Sequence, residues 1–115
     1  MNSCSYNINM NGGSYMSQIP DNKVIDKMEN LLNVASDFTR LKILYCIQYE
    51  SKTVSQIVSE CQASQSLISH QLSILRKARL VSTEKRGKNV FYMLNDKHID
   101  SLLSIVFEHV MEDKK

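Results

Sequence analysis

Four side chains of metal-ligating type, Asp96, His98, His109 and Glu112, fall close together near the end of a 115-residue chain, in the order D-x-H-(x)10-H-x-x-E. If residues 97–112 are helical, His98 and His109 differ by about 20° after whole turns at 100° per residue, so they share one face. Along the axis they stand about 16 Å apart, whereas two ligands of a single Zn²⁺ each sit about 2.0–2.2 Å from the ion. One helix cannot close such a site. Two copies packed antiparallel bring Asp96 and His98 of one protomer against His109 and Glu112 of the other, which makes two symmetric four-ligand sites. The spacing therefore predicts a metal bridge within a homodimer. Asp96 also has a plainer role open to it, as the N-cap of that helix. A carboxylate has two oxygens, so one can cap while the other coordinates, or Asn95 can take over the cap.

These residues must be carried by a small scaffold. At 115 residues and 43% hydrophobic content the chain fits one domain with a modest core, whose stability dimerisation can raise. The longest apolar runs, such as Ile43-Leu44-Tyr45-Cys46-Ile47, are far too short to cross a bilayer, so no membrane partner is expected. Residues 1–20 are rich in Asn, Ser and Gly and read as a disordered tail, neither signal nor transit peptide, with Met10 or Met16 as candidate functional starts. The domain then spans 21–115, and the expected location is the cytoplasm. Cys4, Cys46 and Cys61 are odd in number and unevenly spaced, against a disulfide framework. Cys46 reads as core. The net charge of +2 is small, but Arg76, Lys77, Arg79, Lys85, Arg86 and Lys88 face the single acid Glu84 over residues 76–88. That segment suits phosphate.

From Asp21 the recurrence of Val24, Met28, Leu31, Leu32 and Ala35 predicts a first amphipathic helix. Ser36 or Asp37 caps a second, near residues 38–49, and residues 54–60 form a short third. A turn at Cys61-Gln62-Ala63 leads to Ser64, an N-cap for a helix over Gln65–Lys77 with Leu67, Ile68, Leu72 and Leu75 inward. Gln65, Ser66, Ser69, His70 and Ser73 are left outside. Two helices joined by a short turn, the second rich in small hydrogen-bonding side chains, fit a helix-turn-helix. The period then changes to that of a hairpin, 80–85 against 90–94, with Arg86-Gly87-Lys88-Asn89 at its tip. This predicts a mainly α winged helix-turn-helix with one small β-hairpin. The last helix carries more apolar surface than one core needs, through Ile99, Leu102, Leu103, Ile105, Val106 and Val110, and the surplus fits pairing through the first and last helices.

Within this scaffold Gln65 and Ser66, with Ser64, stand where a recognition helix enters the groove, and Gln pairs bidentately with adenine. His70 reads either as a phosphate or base-edge contact or as a brace of the helix-turn-helix. Ser69 lies on the same outer face, and Arg86 and Lys88 are expected to contact phosphate. The expected partner is double-stranded operator DNA.

The runs Ser36-Asp37-Phe38-Thr39-Arg40-Leu41-Lys42-Ile43-Leu44, Ser64-Gln65-Ser66-Leu67-Ile68-Ser69-His70-Gln71-Leu72, Leu75-Arg76-Lys77-Ala78-Arg79-Leu80-Val81 and Arg86-Gly87-Lys88 ahead of Tyr92 are a recognisable set. Over residues 24–112 the chain resembles the ArsR/SmtB family of metal-responsive winged-helix repressors. The last-helix quartet looks like the site of its zinc-responsive members. The resemblance implies a homodimer on an imperfect palindrome, with recognition helices in successive major grooves, released from DNA by metal. It also points from His109 to the backbone near Arg79 as the coupling route. Cadmium- and lead-sensing relatives place a Cys-x-Cys-Asp type motif in the third helix, where this chain has Thr53, Val54, Ser55 and Gln56. With nitrogen and oxygen ligands only, Zn(II) is the expected regulatory ligand, and Co(II) or Ni(II) can follow by affinity order.

Two rival regulators stay open: a repressor sensing redox or reactive sulfur through its cysteines, and a winged helix that binds DNA without any ligand. No enzyme is expected. Hydrolytic zinc needs an open coordination position, and no H-E-x-x-H or nucleophile motif is present.

Overall fold

The protein is described by a computed structural model over residues 18–112. Most of the expected tail, Cys4 and both candidate start methionines lie outside the described residues. The elements run α1 (Asn22–Ala35), α2 (Phe38–Cys46), α3 (Val54–Cys61), α4 (Gln65–Lys77), β1 (Val81–Arg86), β2 (Asn89–Leu94) and α5 (Lys97–Glu112). This is the mainly α winged-helix architecture with one antiparallel hairpin. The described residues divide between Asn30 and Leu31 into two compact units. In the first, Asp21 Oδ1 accepts from the Lys23 and Val24 N–H groups at 2.9 and 3.2 Å, satisfying donors that the start of a helix leaves without intrahelical partners.

In the second unit each helix start is closed in the same way. Asp37 accepts from Arg40 N at 3.0 Å and Ser64 from Leu67 N at 3.2 Å, while Thr53 and Gln56 form a reciprocal capping box. Ser36, the other candidate cap, instead donates to the Asn33 carbonyl. α2 ends at Cys46 rather than near residue 49. There the Lys52 ammonium donates to the Cys46 carbonyl, one of the acceptors a helix end leaves open, and the chain turns out of the helix. Gln62, in the left-handed region at φ 54°, closes α3 and aims the turn into α4.

The core joins Ile43, Leu44 and Ile47 to Ile57, Cys61, Ile68, Leu72, Leu75, Leu80, Val81, Ile99 and Leu103. In α4 the inward stripe is Ile68, Leu72 and Leu75, spanning about 60° of the helix at 100° per residue. Leu67 lies about 100° outside Ile68 and is 39% exposed, so its expected inward position is corrected. The hairpin pairs Val81 with Leu94 through to Arg86 with Asn89. Its turn narrows to Gly87-Lys88, with Gly87 at φ 62°, a conformation that suits glycine. Lys52 adds a single antiparallel bridge to Tyr92, with main-chain hydrogen bonds of 3.0 and 2.7 Å.

Candidate functional site

The outer face of α4 presents Gln65, Ser66, Ser69, His70 and Ser73 to solvent, and Ser64 is exposed at its start. The helix is fixed from behind by Arg40. Its Nε donates to the Val34 carbonyl at the end of α1 and its Nη1 to Gln71 Oε1 on α4, both at 2.7 Å. Beside this face a hollow of about 380 Å³ runs between α4 and the wing, lined by Ser69, Leu72, Ser73, Arg76, Lys77 and Tyr92. Arg76 and Lys77 belong to the basic segment expected to suit phosphate and Ser73 to the expected outer face, but none of them, nor Tyr92, was singled out as a contact residue. Positions 69, 73, 76 and 77 follow the i, i+4, i+7, i+8 spacing of one helix face, and that signal in the basic segment is the one that finds them.

At the wing tip the two basic residues differ. Arg86 donates to Glu84 Oε1 from Nε and Nη2 at 3.2 and 2.8 Å, reaches Ser51 at 3.3 Å, and lies 4.5 Å from the Phe91 ring centroid. Lys88 sits in the exposed turn. The Arg86 charge is thus partly offset by Glu84 where a phosphate contact was expected.

On α5, Asp96 is the cap: Oδ1 accepts from His98 N at 3.0 Å and Ile99 N at 3.2 Å, while Oδ2 accepts from the Asn95 amide at 3.4 Å. Burial pushes this carboxyl up, but the hydrogen bonds from Ile99, Asn95 and His98 outweigh it and hold it below the usual aspartate range. The His98 ring is 95% exposed, with Nδ1 3.6 Å from Asp96 Oδ1. Asp96 and His98 are therefore neighbours, whereas His109 and Glu112 lie exposed at the other end of the helix. Among the described residues no three His, Cys, Asp or Glu side chains of one chain gather to hold a metal. Nor does a hydrogen bond join His109 to Arg79 within one chain among them. Arg79 itself is left-handed, at φ 63°.

Neither described cysteine has the environment of a reactive thiolate. Burial, reinforced by a hydrogen bond to Glu60, pushes the Cys46 thiol up to about 12, despite nearby Lys52. Burial also raises Cys61, a core residue. Cys46, read from sequence as core, is half-buried at its edge.

Comparison with known proteins places this arrangement. Residues 37–83, from the cap of α2 into β1, match the family described as bacterial regulatory protein, arsR family. The arsenical resistance operon repressor of Bacillus subtilis is 32% identical over 83 residues, 71% of this chain and 79% of that protein. The chain belongs to the arsR family. A SmtB homolog of Synechocystis sp., described as a transcriptional repressor, is 33% identical over 86 residues, covering 75% of this chain. The match spans 65% of that relative, just under two thirds of its length. Among solved structures, HlyU from Vibrio cholerae N16961 superposes with a TM-score of 0.71 at 28% identity, covering 76% of this arsR-family chain and 96% of HlyU.

Proposed function

We propose that this chain is a homodimeric transcriptional repressor that holds palindromic operator DNA and is released by Zn(II) bound between the last helices. The observation that carries the reading is the split of the quartet. Asp96 and His98 are already adjacent at one end of an uninterrupted helix, while His109 and Glu112 stand exposed at the other. A partner helix running antiparallel supplies the missing half of each site. The residues fit the ion: two imidazoles and two carboxylates are zinc ligands, and Asp96 caps its helix through Oδ1, leaving Oδ2 with one long contact. Bound there, Zn(II) supplies a cross-link between the two last helices.

Pairing has its own support. Ile105, Val106 and Val110 are exposed on α5, and a cleft of about 210 Å³ is lined by Leu32, Ala35, Leu41, Leu102 and Val106 among others, apolar almost throughout. Covering such surface is what a second copy does. Gln65, Ser66, Ser69 and His70 then face the major groove, with Ser64 at the helix start, while Lys88 and the Arg76–Lys77 pair approach phosphates. A coupling of about 1.4 kcal/mol between metal and DNA already changes operator affinity tenfold.

The test is a titration of the dimer on a palindromic duplex with Zn(II), Co(II), Ni(II) and Cd(II). Zn(II) is expected to weaken binding at least about tenfold, the scale of a modest allosteric coupling, and Co(II) to give the absorption of tetrahedral N/O coordination. If no metal weakens binding, the reading fails. The wing offers an independent check: Glu84→Gln releases Arg86 toward the backbone and removes a repelling charge. Its DNA affinity is expected to rise, and the slope of log affinity against log salt to steepen by up to about 0.9, the value of one phosphate contact. Fluorescence anisotropy across a salt series reads both.

A further inference from the structure

Flanking the quartet's end of α5, with Glu108 one turn from Glu112, lies a second hollow, of about 450 Å³, between the end of α2 and α5. Its walls are Tyr45, Tyr49 and Phe107, and Gln48, Ser104 and Glu108 complete it. The aromatic walls are unusually open to solvent, Tyr49 82% and Phe107 55% exposed. Phe107 lies about half a turn from His98 but about 60° from Val110 at 100° per residue, so the hollow borders the pairing face.

Two of the hollow's donors are already spent. The Tyr45 hydroxyl donates to the Leu103 carbonyl at 2.7 Å. The Gln48 amide nitrogen donates to Asp100 Oδ1 at 2.9 Å and to Ser104 Oγ at 3.1 Å. What is left to the space is the Gln48 side-chain carbonyl oxygen, the Glu108 carboxylate, the Tyr49 and Ser104 hydroxyls and aromatic surface, of which the carboxylate, the carbonyl and the aromatic faces favour a positive, N–H- or C–H-bearing guest. No Lys, Arg or His lines it. In the adjoining hollow, which shares Gln48 and Tyr49, the acids Glu50, Asp96 and Asp100 outnumber one base, Lys97. Charge and surface thus agree.

We propose that this hollow is a binding site for a small organic ammonium ion with an apolar body, the ammonium set against Tyr49, Phe107 and Glu108. Open aromatic faces beside a carboxylate are the chemistry that recognises quaternary ammonium. The volume lies in the range of ligand pockets, about 300–1,000 Å³.

The experiment is an NMR titration of the full-length protein with benzyltrimethylammonium, choline and 3,3-dimethyl-1-butanol, the last an uncharged isostere of choline. Saturable shifts are expected at Tyr49, Phe107 and Glu108, with benzyltrimethylammonium tightest and choline about threefold to tenfold tighter than the alcohol, as a partly exposed cation–π site gives. Phe107→Ala should weaken both cations, and Glu108→Gln should weaken them while leaving the alcohol unchanged. Both side chains are exposed, so neither variant threatens the fold. Equal binding of choline and its isostere, an unchanged affinity in Phe107→Ala, or no binding because a second copy covers the hollow would each overturn the assignment. None of these outcomes depends on whether zinc releases DNA.

Discussion

His109→Ala is expected to bind operator DNA as the unaltered protein does and to lose its release by Zn(II). His109 is exposed on α5 and outside the core, so its removal should change stability by no more than about 0.5 kcal/mol, the usual range for a surface substitution. Zinc affinity should fall by more than the 10- to 100-fold typical of losing an outer-shell partner, because a direct ligand is lost. His98→Ala should behave alike. The decisive measurement mixes the two variants. In a heterodimer of His98→Ala with His109→Ala, a shared site places both lesions in one of the two quartets and leaves the other intact, so one zinc binds and part of the release returns. Sites built within single chains would leave none intact. Mixed dimers with no zinc binding would therefore reject the shared quartet even if each single variant behaved as expected.

The second large effect concerns α4, the helix that carries the proposed reading face. Leu72→Ala should lower unfolding stability by about 2–5 kcal/mol, the cost of truncating a buried leucine and leaving a cavity. Leu72 is 1% exposed and lies in the centre of the inward stripe of α4. Since small domains are stable by only about 5–15 kcal/mol, such a loss can leave a measurable unfolded fraction. Leu67→Ala, one helical step outside the stripe, should cost no more than about 1 kcal/mol, because it vacates no core volume. Urea denaturation of the two variants separates them, and similar midpoints would show that the stripe is misassigned.

The fold was readable in the chain to the extent that periodicity and caps agreed. Gln65–Lys77 and Lys97–Glu112 have the expected limits because Ser64 and Asp96 are strong cap types ahead of apolar residues at helical spacing. The end of α2 was not readable. It depends on Lys52, beyond the helix, reaching back to the Cys46 carbonyl, and no local pattern announces that. Leu67 misled for a related reason: its apolar character suited the core, but the buried stripe admits only residues within a narrow arc. At the candidate site, spacing singled out Asp96 and His98 as proposed ligands, and the structure sets the two side chains side by side. The engagement of Arg86 by Glu84 was not legible in this way, since a pair two residues apart on a strand meets only when that face of the hairpin is built. Arg40 joining α1 to α4 was equally hidden, because its partners are brought together by the tertiary fold.

The bridge between Lys52 and Tyr92 bears on how this scaffold tolerates change. Both of its hydrogen bonds are main chain to main chain, so side-chain replacement at either position leaves donors and acceptors in place, with proline the exception. The hold of the wing on the helical body is thus independent of the side chain at Tyr92, whereas at Lys52 the side chain also ties this segment to the Cys46 carbonyl and Glu60. Replacing the wing-tip residues Gly87 and Lys88 therefore leaves this main-chain attachment in place.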